Sequence, residues 1–245
     1  MSAPALASPV VVEALGVSMH FDGVTAVDDV SLRLRERELR CLIGPNGAGK
    51  STFFKMLSGQ LRPSVGEVWL KGRRCDGLQT HAIARLGLSI KTQVPSLMNA
   101  LSVAENLWLA AHVHHKGEAA DQRVEQLLTE LGLGRLRASP AGALAHGQRQ
   151  IVELGVALAT DPWLLLLDEP AGGLTHGGVE HMAQLVRRLA ARITVVVVEH
   201  DMRFVRNIAQ TVTVFHQGRV LAEGDADAVL ADPRVRDVYL GREAA

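Results

Sequence analysis

Residues 44–52 read Gly44-Pro45-Asn46-Gly47-Ala48-Gly49-Lys50-Ser51-Thr52 and match the pattern G-x-x-x-x-G-K-[ST] at every fixed position. The apolar residues 41–43 predict a buried strand before this loop, and residues 49–58 predict a helix after it. A strand, a glycine-rich loop and a helix in this order form a cradle for phosphate groups, because inward N–H groups and the helix N-terminus attract anions. The alternative is a plain glycine turn that carries a lysine, and the complete set of fixed positions argues against it.

A second stretch predicts chemistry at the end of another strand. Residues 164–167 are an apolar run that ends in two carboxylates, Asp168 and Glu169. Open parallel sheets bind ligands beyond the carboxyl ends of their strands. With a nucleotide in the cradle, Lys50 would reach its β- and γ-phosphates, and Ser51 and Asp168 would hold Mg²⁺. Glu169 would polarise the water that attacks the γ-phosphate, although without the cradle the two carboxylates could also be a solvated strand end.

Length and composition limit the possible functions. The chain has 245 residues, which suits one large domain with a substantial core. Its 26 Lys and Arg residues balance 26 Asp and Glu residues, so the overall charge does not favour nucleic acid or an anionic membrane surface as a partner. No apolar run approaches the roughly 18 residues that a membrane-crossing helix needs.

The N-terminus and the cysteines predict no special chemistry. Residues 1–9 are rich in Ala, Ser and Pro and lack the basic and apolar regions of a signal peptide, so we expect a flexible tail. Cys41 and Cys75 show no metal-binding spacing and are expected to be reduced thiols.

Two kinds of strand pattern predict two sheets. Residues 30–34 and 67–71 alternate apolar and polar side chains, as in a half-exposed antiparallel sheet, and residues 10–12 predict a further strand. Residues 163–167 and 193–198 are continuous apolar runs followed by helical patterns, as in a parallel sheet that is covered on both faces. The predicted fold class is therefore α/β, with a parallel-sheet core and an antiparallel β subdomain around the cradle.

A helical segment interrupts this pattern. Residues 103–114 and 122–131 have helical periodicity, and no valine-rich strand lies between them. We expect an α-helical subdomain at about residues 95–150, beginning near Pro95, within a single domain that spans residues 10–245. Within this segment, His112, His114 and His115 cannot all face one side of a helix, which favours a solvated helix end over a metal site.

With the cradle and the carboxylates in place, the chain resembles the ATP-binding cassette (ABC) family from about Val10 onward. Further matches occur in the family's order at Phe21, Gln93, Leu144-Ala145-His146-Gly147-Gln148, residues 171–176 and His200. Each match alone is weak, and their joint order and spacing carry the resemblance. It implies the ABC ATPase fold among the P-loop NTPases, ATP hydrolysis, and ATP and Mg²⁺ as cofactors.

The resemblance also implies a role for each matching residue. Phe21 would stack on the adenine. Gln93, in the family's glutamine loop, would ligate Mg²⁺ and sense the attacking water, and His200 would contact the γ-phosphate as the switch histidine. The signature at residues 144–148 would bind the ATP of a second chain through a helix N-terminus. Two chains would therefore enclose two nucleotides, as an ATP-dependent homodimer or as a heterodimer with a paralogue.

The chain departs from the family pattern at three positions. Ala145 replaces the signature's serine, so a hydroxyl contact with the γ-phosphate worth about 1.5–3 kcal/mol is missing. His146 replaces the first signature glycine, so its side chain must point away from the phosphate, while the Gly147 amide and the helix dipole remain. Thr175 stands in the dimer-contact loop, where many members have Asp. We expect slow but nonzero hydrolysis.

Within the family, the chain is most similar to the ATP-binding subunits of urea and branched-chain amino-acid importers. The similarity rests on residues 144–150, 168–175, 195–201 and 224–241. The signature histidine and Thr175 favour urea or a related small amide. The resemblance implies transmembrane permease subunits as partners, an indirect role for an extracytoplasmic solute-binding protein, and a peripheral location at the cytoplasmic face of the inner or plasma membrane.

Three alternatives stay open. A lipid-export ATPase would use the same residues, and the sequence does not distinguish the direction of transport. A nucleic-acid or translation ATPase of this family would usually carry two cassettes or a long coiled-coil insertion, and the sequence has neither. A cassette that binds ATP without hydrolysing it would follow if Ala145 prevents closure of the dimer.

Overall fold

The computed structural model describes residues 8–93 and 96–240. Residues 1–7 of the predicted tail, Pro95 and residue 241 lie outside the described residues. The strands are β1 (Val10–Phe21), β2 (Val24–Arg35), β3 (Leu39–Ile43), β4 (Val65–Leu70), β5 (Arg73–Arg74), β6 (Leu88–Lys91), β7 (Leu164–Asp168), β8 (Thr194–Val198), β9 (Thr211–His216) and β10 (Arg219–Asp225). The helices are α1 (Lys50–Leu57), α2 (Thr80–Ala84), α3 (Val103–Ala111), α4 (Glu118–Glu130), α5 (His146–Leu158), α6 (His176–Ala190), α7 (Met202–Ile208), α8 (Ala226–Ala231) and α9 (Pro233–Leu240).

The larger sheet aligns the strand ends that carry the predicted site. Its order is β10-β9-β3-β8-β7-β6, parallel from β9 to β6, with β10 antiparallel beside β9. Leu42 of β3 and Asp168 of β7 are both register partners of Val198, at the end of β8. The cradle follows β3 and the carboxylates come at the end of β7, so both lie at the same edge of the sheet.

The central strands are buried between two layers of apolar side chains. Leu165 and Val197 pack on one side of the sheet, whereas Leu166 and Val196 pack on the other. Each aliphatic side chain that is fully buried contributes about 1.5–3 kcal/mol relative to an exposed one. Because both faces are covered, every position along these strands can be apolar. The predicted α/β class with a parallel core is confirmed.

The smaller sheet is antiparallel, in the order β2-β1-β4-β5. The strand lengths predicted for it were wrong: β1 continues past residue 12 as far as Phe21, and β2 begins at Val24 rather than at residue 30. Irregularities or bulges shift the β1–β2 register between Ala14 and Val17 and again before His20. A bulge shifts the alternation of apolar and polar residues, so the sequence pattern ends before the strand does.

Helices α3, α4 and α5 pack on one another, and α5 also contacts β6. Ser102 and Glu105 form a capping box that fixes the start of α3. Gly155 lets α5 approach closely, since a Cβ there would lie 2.8 Å from Leu107 and 2.9 Å from Leu131. The sequence predicted α3 too long and α4 too short: α3 ends at Ala111, and α4 begins at Glu118.

None of the helices formed by the described residues is both long and apolar enough to span a membrane.

Candidate functional site

The cradle loop depends on glycine at two crowded positions. Gly44 (φ 147°), Gly47 (φ 78°) and Gly49 (φ 101°) all have positive φ. A Cβ at Gly44 would lie 2.2 Å from the carbonyl oxygen of Phe215 in β9. A Cβ at Gly49 would lie 2.5 Å from the carbonyl oxygen of Ala26 in β2. The loop is therefore held between the two sheets, where only glycine fits.

Lys50 is the first residue of α1, and its side chain is buried. Its Nζ donates to the carbonyl oxygens of Gly44 (2.6 Å) and Pro45 (2.9 Å). Burial lowers the pKa of Lys50, and the carboxylates of Glu169 and Asp168 oppose this shift. The cradle lysine thus lies within electrostatic range of both carboxylates that follow β7.

The other cradle residues differ in exposure. Asn46 and Ser51 are exposed, and Thr52 is half-buried in the first turn of α1. Ala48 is buried, and its carbonyl oxygen accepts from the N–H of Gly218 (3.0 Å), in the β9–β10 turn.

Phe21 ends β1 and is 41% exposed. The β1–β2 hairpin lies beside the cradle, because the N–H of Asp28 donates to the carbonyl of Gly218 (2.8 Å), which itself bonds to Ala48. An accessible aromatic ring beside the cradle is compatible with the predicted contact with adenine, which stays a prediction.

Asp168 is the last residue of β7 and is half-buried. Burial raises the pKa of Asp168, and the adjacent Glu169 carboxylate raises it further. Lys91, Lys55 and Lys50 oppose the shift without cancelling it. The ionised form of Asp168 is therefore disfavoured in the protein alone, and a bound cation would stabilise it.

Glu169 has φ of 47°, in the left-handed region, which is strained for a residue other than glycine. Its N–H donates to the carbonyl of Val198 (2.9 Å) and so holds it against the end of β8. Gln93 donates through Nε2 to Glu169 Oε2, and His200 Nδ1 lies 3.2 Å from Glu169 Oε1. The structure thus brings together the three residues that the resemblance assigned to catalysis, although each follows a different strand.

Glu199 is a third carboxylate at this edge, and the sequence pattern did not predict it. It is 1% exposed, and its oxygens accept from the N–H groups of Ala171 (2.9 Å), His200 (3.0 Å) and Asp201 (3.2 Å). Burial raises the pKa of Glu199, and these three hydrogen bonds act in the opposite direction. The sequence signal was a charged residue directly after the apolar strand β8.

The signature residues form the N-terminus of α5. Ala145 is the N-cap, and its N–H donates to Gln148 Oε1 (3.0 Å). His146 turns toward the loop after β7, with its Nε2 3.0 Å from the carbonyl oxygen of Gly172. Residues 145–148 line an open hollow of ≈ 390 Å³ together with residues 173–175, before α6, and Gly178 within it.

Comparison with known proteins identifies the family. Residues 27–172, more than half of the chain, match the model described as "ABC transporter". The chain belongs to the ABC transporter family. It is an ATPase of that family. Residues 219–245 also match the model described as "Branched-chain amino acid ATP-binding cassette transporter".

Curated relatives of this ABC protein cover nearly all of it. It is 33% identical to the high-affinity branched-chain amino acid transport ATP-binding protein BraF of Pseudomonas aeruginosa, over 94% of this chain and 98% of the relative. It is 36% identical to the LivG protein of the same description from Salmonella typhimurium, over 92% and 96%. It is 39% identical to the lipopolysaccharide export system ATP-binding protein LptB of Acidithiobacillus ferridurans, over 88% and 90%.

Solved structures agree with the family fold. An ATP-binding cassette of an ABC transporter in its ADP conformation superposes with a TM-score of 0.86 at 27% identity, covering 96% of this chain and 100% of that chain. A dimeric cassette in a post-hydrolysis state bound to ADP and Pi gives a TM-score of 0.78 at 26% identity, covering 87% and 98%.

The histidines after α3 have other partners in this ABC protein. The ring of His112 stacks on Trp108, with 4.5 Å between centroids, and His115 Nε2 lies 2.8 Å from Asp161 Oδ2. Within residues 8–93 and 96–240, no group of three His, Cys, Asp or Glu residues is arranged to hold a metal ion.

Proposed function

We propose that this ATPase powers a membrane importer for branched-chain amino acids. The observation that carries the proposal is the match of residues 219–245 to the branched-chain amino acid transporter model, because this segment lies outside the general ABC match. The relatives BraF and LivG, named for branched-chain amino acid transport, support it over most of the chain.

The proposed assembly follows from this role. The partners are transmembrane permease subunits and, indirectly, an extracytoplasmic solute-binding protein, with no nucleic acid. The ATPase would bind peripherally at the cytoplasmic face of the inner or plasma membrane. Residues 10–245 would act as one nucleotide-binding domain, with the helical subdomain at about residues 95–150.

Two other cargoes compete with this proposal. Urea or a related small amide stays a prediction, based on His146 in the signature and Thr175 in the contact loop. Lipid export is the second candidate, because the 39% identical relative LptB is named for lipopolysaccharide export.

Uptake by cells that lack this gene tests the cargo. We expect uptake of labelled leucine, isoleucine and valine to fall, and to recover with the wild-type gene but not with Glu169→Gln. Loss of urea uptake alone would overturn the proposal in favour of urea. A defect in surface lipopolysaccharide, with both uptake activities intact, would overturn it in favour of lipid export.

The site residues are suited to Mg²⁺ with ATP. Ser51, Asp168 and Gln93 carry the hydroxyl, carboxylate and amide oxygens that Mg²⁺ prefers. Asp168 has a second reason to bind a cation, because burial and Glu169 disfavour its ionised form. Bound Mg²⁺ would offset the negative charge of the β- and γ-phosphates.

The chain's own residues would then perform the remaining tasks. Lys50 would exchange its bonds to the Gly44 and Pro45 carbonyls for the phosphates, and the N–H groups of residues 46–52 would surround them. Glu169 would orient the attacking water and accept its proton. Gln93 and His200, which both contact the Glu169 carboxylate, would fix that carboxylate and the γ-phosphate relative to each other.

The second half of the site is proposed to come from another copy or a paralogue. The signature residues at the N-terminus of α5 border an open hollow that Gln93, Glu169 and His200 do not line. The solved dimer bound to ADP and Pi supports a two-chain arrangement for this family. Sedimentation with and without ATP tests this arrangement, both for the chain alone and with a paralogous ATPase added. A monomer under all of these conditions would contradict it.

A further inference from the structure

Glu199 connects two loops that carry the candidate catalytic residues. It follows β8 directly, and 1% of its surface is exposed. Its Oε1 accepts from the N–H of Ala171 (2.9 Å), in the loop after Glu169. Its Oε2 accepts from the N–H groups of His200 (3.0 Å) and Asp201 (3.2 Å). Because these hydrogen bonds reach the loop after β7 and the loop after β8, one side chain holds both loops. Hydrogen bonds to an ionised acceptor are stronger than those between neutral groups.

We propose that Glu199 is a positioning residue for ATP hydrolysis, which aligns His200 with Glu169 by tying the loop after β8 to the loop after β7. The His200 ring is more than half exposed (56%), so neighbouring side chains constrain it little and its backbone must place it. Its Nδ1 lies 3.2 Å from Glu169 Oε1 and 3.9 Å from Glu199 Oε2.

Hydrogen bonds anchor the backbone on both sides of His200. Asp201 caps α7 by accepting from the N–H groups of Arg203 and Phe204. Before it, the N–H of Glu199 donates to the carbonyl of Leu42 (3.2 Å) in β3. His200 therefore lies between two anchored residues, and the Glu199 carboxylate sets the backbone that joins them.

This arrangement requires two acceptor oxygens that point in different directions. In Glu199→Gln the amide has one acceptor oxygen, so its NH₂ group would face the N–H of Ala171 or those of His200 and Asp201. A donor facing a donor would push one loop away from the other. Glu199→Asp keeps both acceptors but is one methylene shorter, so it would restore part of the connection.

The experiment measures ATP turnover and ATP affinity of the full chain. Because the proposed role of Glu199 depends on the proposed role of His200, His200→Ala is measured first, and an unchanged kcat would refute the role of His200 itself. We expect Glu199→Gln to lower kcat by about 10- to 100-fold, the effect of a small misplacement of a catalytic group, with Kd for ATP changed less than about threefold. Glu199→Asp should give an intermediate kcat.

A double variant separates positioning from simple loss of structure. In the His200→Ala background, Glu199→Gln should change kcat by less than about twofold, because residues that act through one another are not additive. Glu38→Gln is the matched control: its largely buried carboxylate binds Arg40, at the end of β3 opposite the cradle. It should leave kcat per folded molecule unchanged.

Three results would overturn the proposal. The first is equal kcat for wild type and Glu199→Gln. The second is an equal loss of kcat from Glu199→Gln in the wild-type and His200→Ala backgrounds. The third is that both Glu199→Gln and Glu199→Asp unfold and lose ATP binding, which would assign Glu199 to stability alone.

Discussion

Lys91 Nζ lies 3.5 Å from Glu153 Oε2, and neither side chain is more than 4% exposed. Lys91 ends β6, two residues before Gln93, and Glu153 belongs to α5, which begins at the signature residue His146. Burial lowers the pKa of Lys91, and the Glu153 carboxylate opposes this shift. This ion pair therefore joins the strand that leads to the glutamine loop with the helix that carries the signature.

Replacing Glu153 with Gln should strongly destabilise the chain. The substitution keeps the shape of the side chain but leaves the charge of Lys91 buried beside a neutral amide. Removing one partner of a buried ion pair costs about 3–5 kcal/mol of unfolding free energy. Urea unfolding of the two proteins at neutral pH measures the difference.

A surface ion pair provides the matched control. Arg137 and Glu125 also form an ion pair, but both side chains are more than half exposed. Glu125→Gln should cost less than about 1 kcal/mol. Lys91→Met combined with Glu153→Leu should recover most of the loss, because apolar pairs often replace buried ion pairs without penalty. A cost for Glu153→Gln no larger than that for Glu125→Gln would contradict the prediction.

Asp168→Asn should stabilise the nucleotide-free chain at neutral pH while it reduces hydrolysis. Burial and Glu169 raise the folded-state pKa of Asp168 above its ordinary value of 3.8, so ionisation costs the folded state more than the unfolded state. This cost is absent below the ordinary pKa, grows as the pH rises, and is fully present above the raised pKa. Thermal unfolding without Mg²⁺, from acidic to neutral pH, measures it.

The difference in stability between Asp168→Asn and wild type should depend on pH. The advantage of Asp168→Asn over wild type should shrink as the pH falls toward 3.8. Asp237→Asn, which replaces an exposed carboxylate in α9, is the matched control. An Asp168→Asn chain that is less stable than wild type at neutral pH would show that other contacts of Asp168 outweigh its desolvation.

Glu169→Gln should lower ATP hydrolysis by about 10²- to 10⁴-fold and leave ATP binding intact, because it removes the base and keeps the cradle. Phosphate release under saturating ATP, together with a binding titration, measures both effects. Glu180→Gln is the control, since Glu180 is an exposed carboxylate of α6 that pairs with His176. Equal turnover in Glu169→Gln and wild type would remove Glu169 from the proposed role.

The sequence predicted those parts of the site that local pattern determines. The cradle and the carboxylates after β7 are contiguous motifs that can be read directly from the sequence. Gln93 and His200 were identified only through the family resemblance, and their contact with Glu169 could then be expected because a parallel sheet places strand ends at one edge. The Glu199 connection could not be predicted, because its acceptor role depends on Ala171, 28 residues earlier in another loop. The length of β1 was missed for a different reason, since bulges break the alternation that identifies a strand.

Ala145→Ser should have two separable effects at the signature. Ala145 is the N-cap of α5, where Gln148 already accepts its N–H, but an alanine offers no acceptor to the first turn of the helix. A serine would add that acceptor and stabilise the chain by about 0.5–2 kcal/mol, measured by unfolding without nucleotide. Ala119→Ser, at an exposed position within α4, should give no such gain.

The second effect of Ala145→Ser concerns the proposed dimer. If the signature faces the ATP of a second chain, the new hydroxyl adds a hydrogen bond to a charged phosphate, worth about 1.5–3 kcal/mol. Dimerisation with ATP should then tighten by about 10- to 100-fold for each of the two sites, measured by sedimentation in a Glu169→Gln background that preserves the nucleotide. A chain that gains stability without tighter dimerisation would show that residue 145 caps α5 but does not reach the partner's nucleotide, and the role assigned to the signature would be wrong.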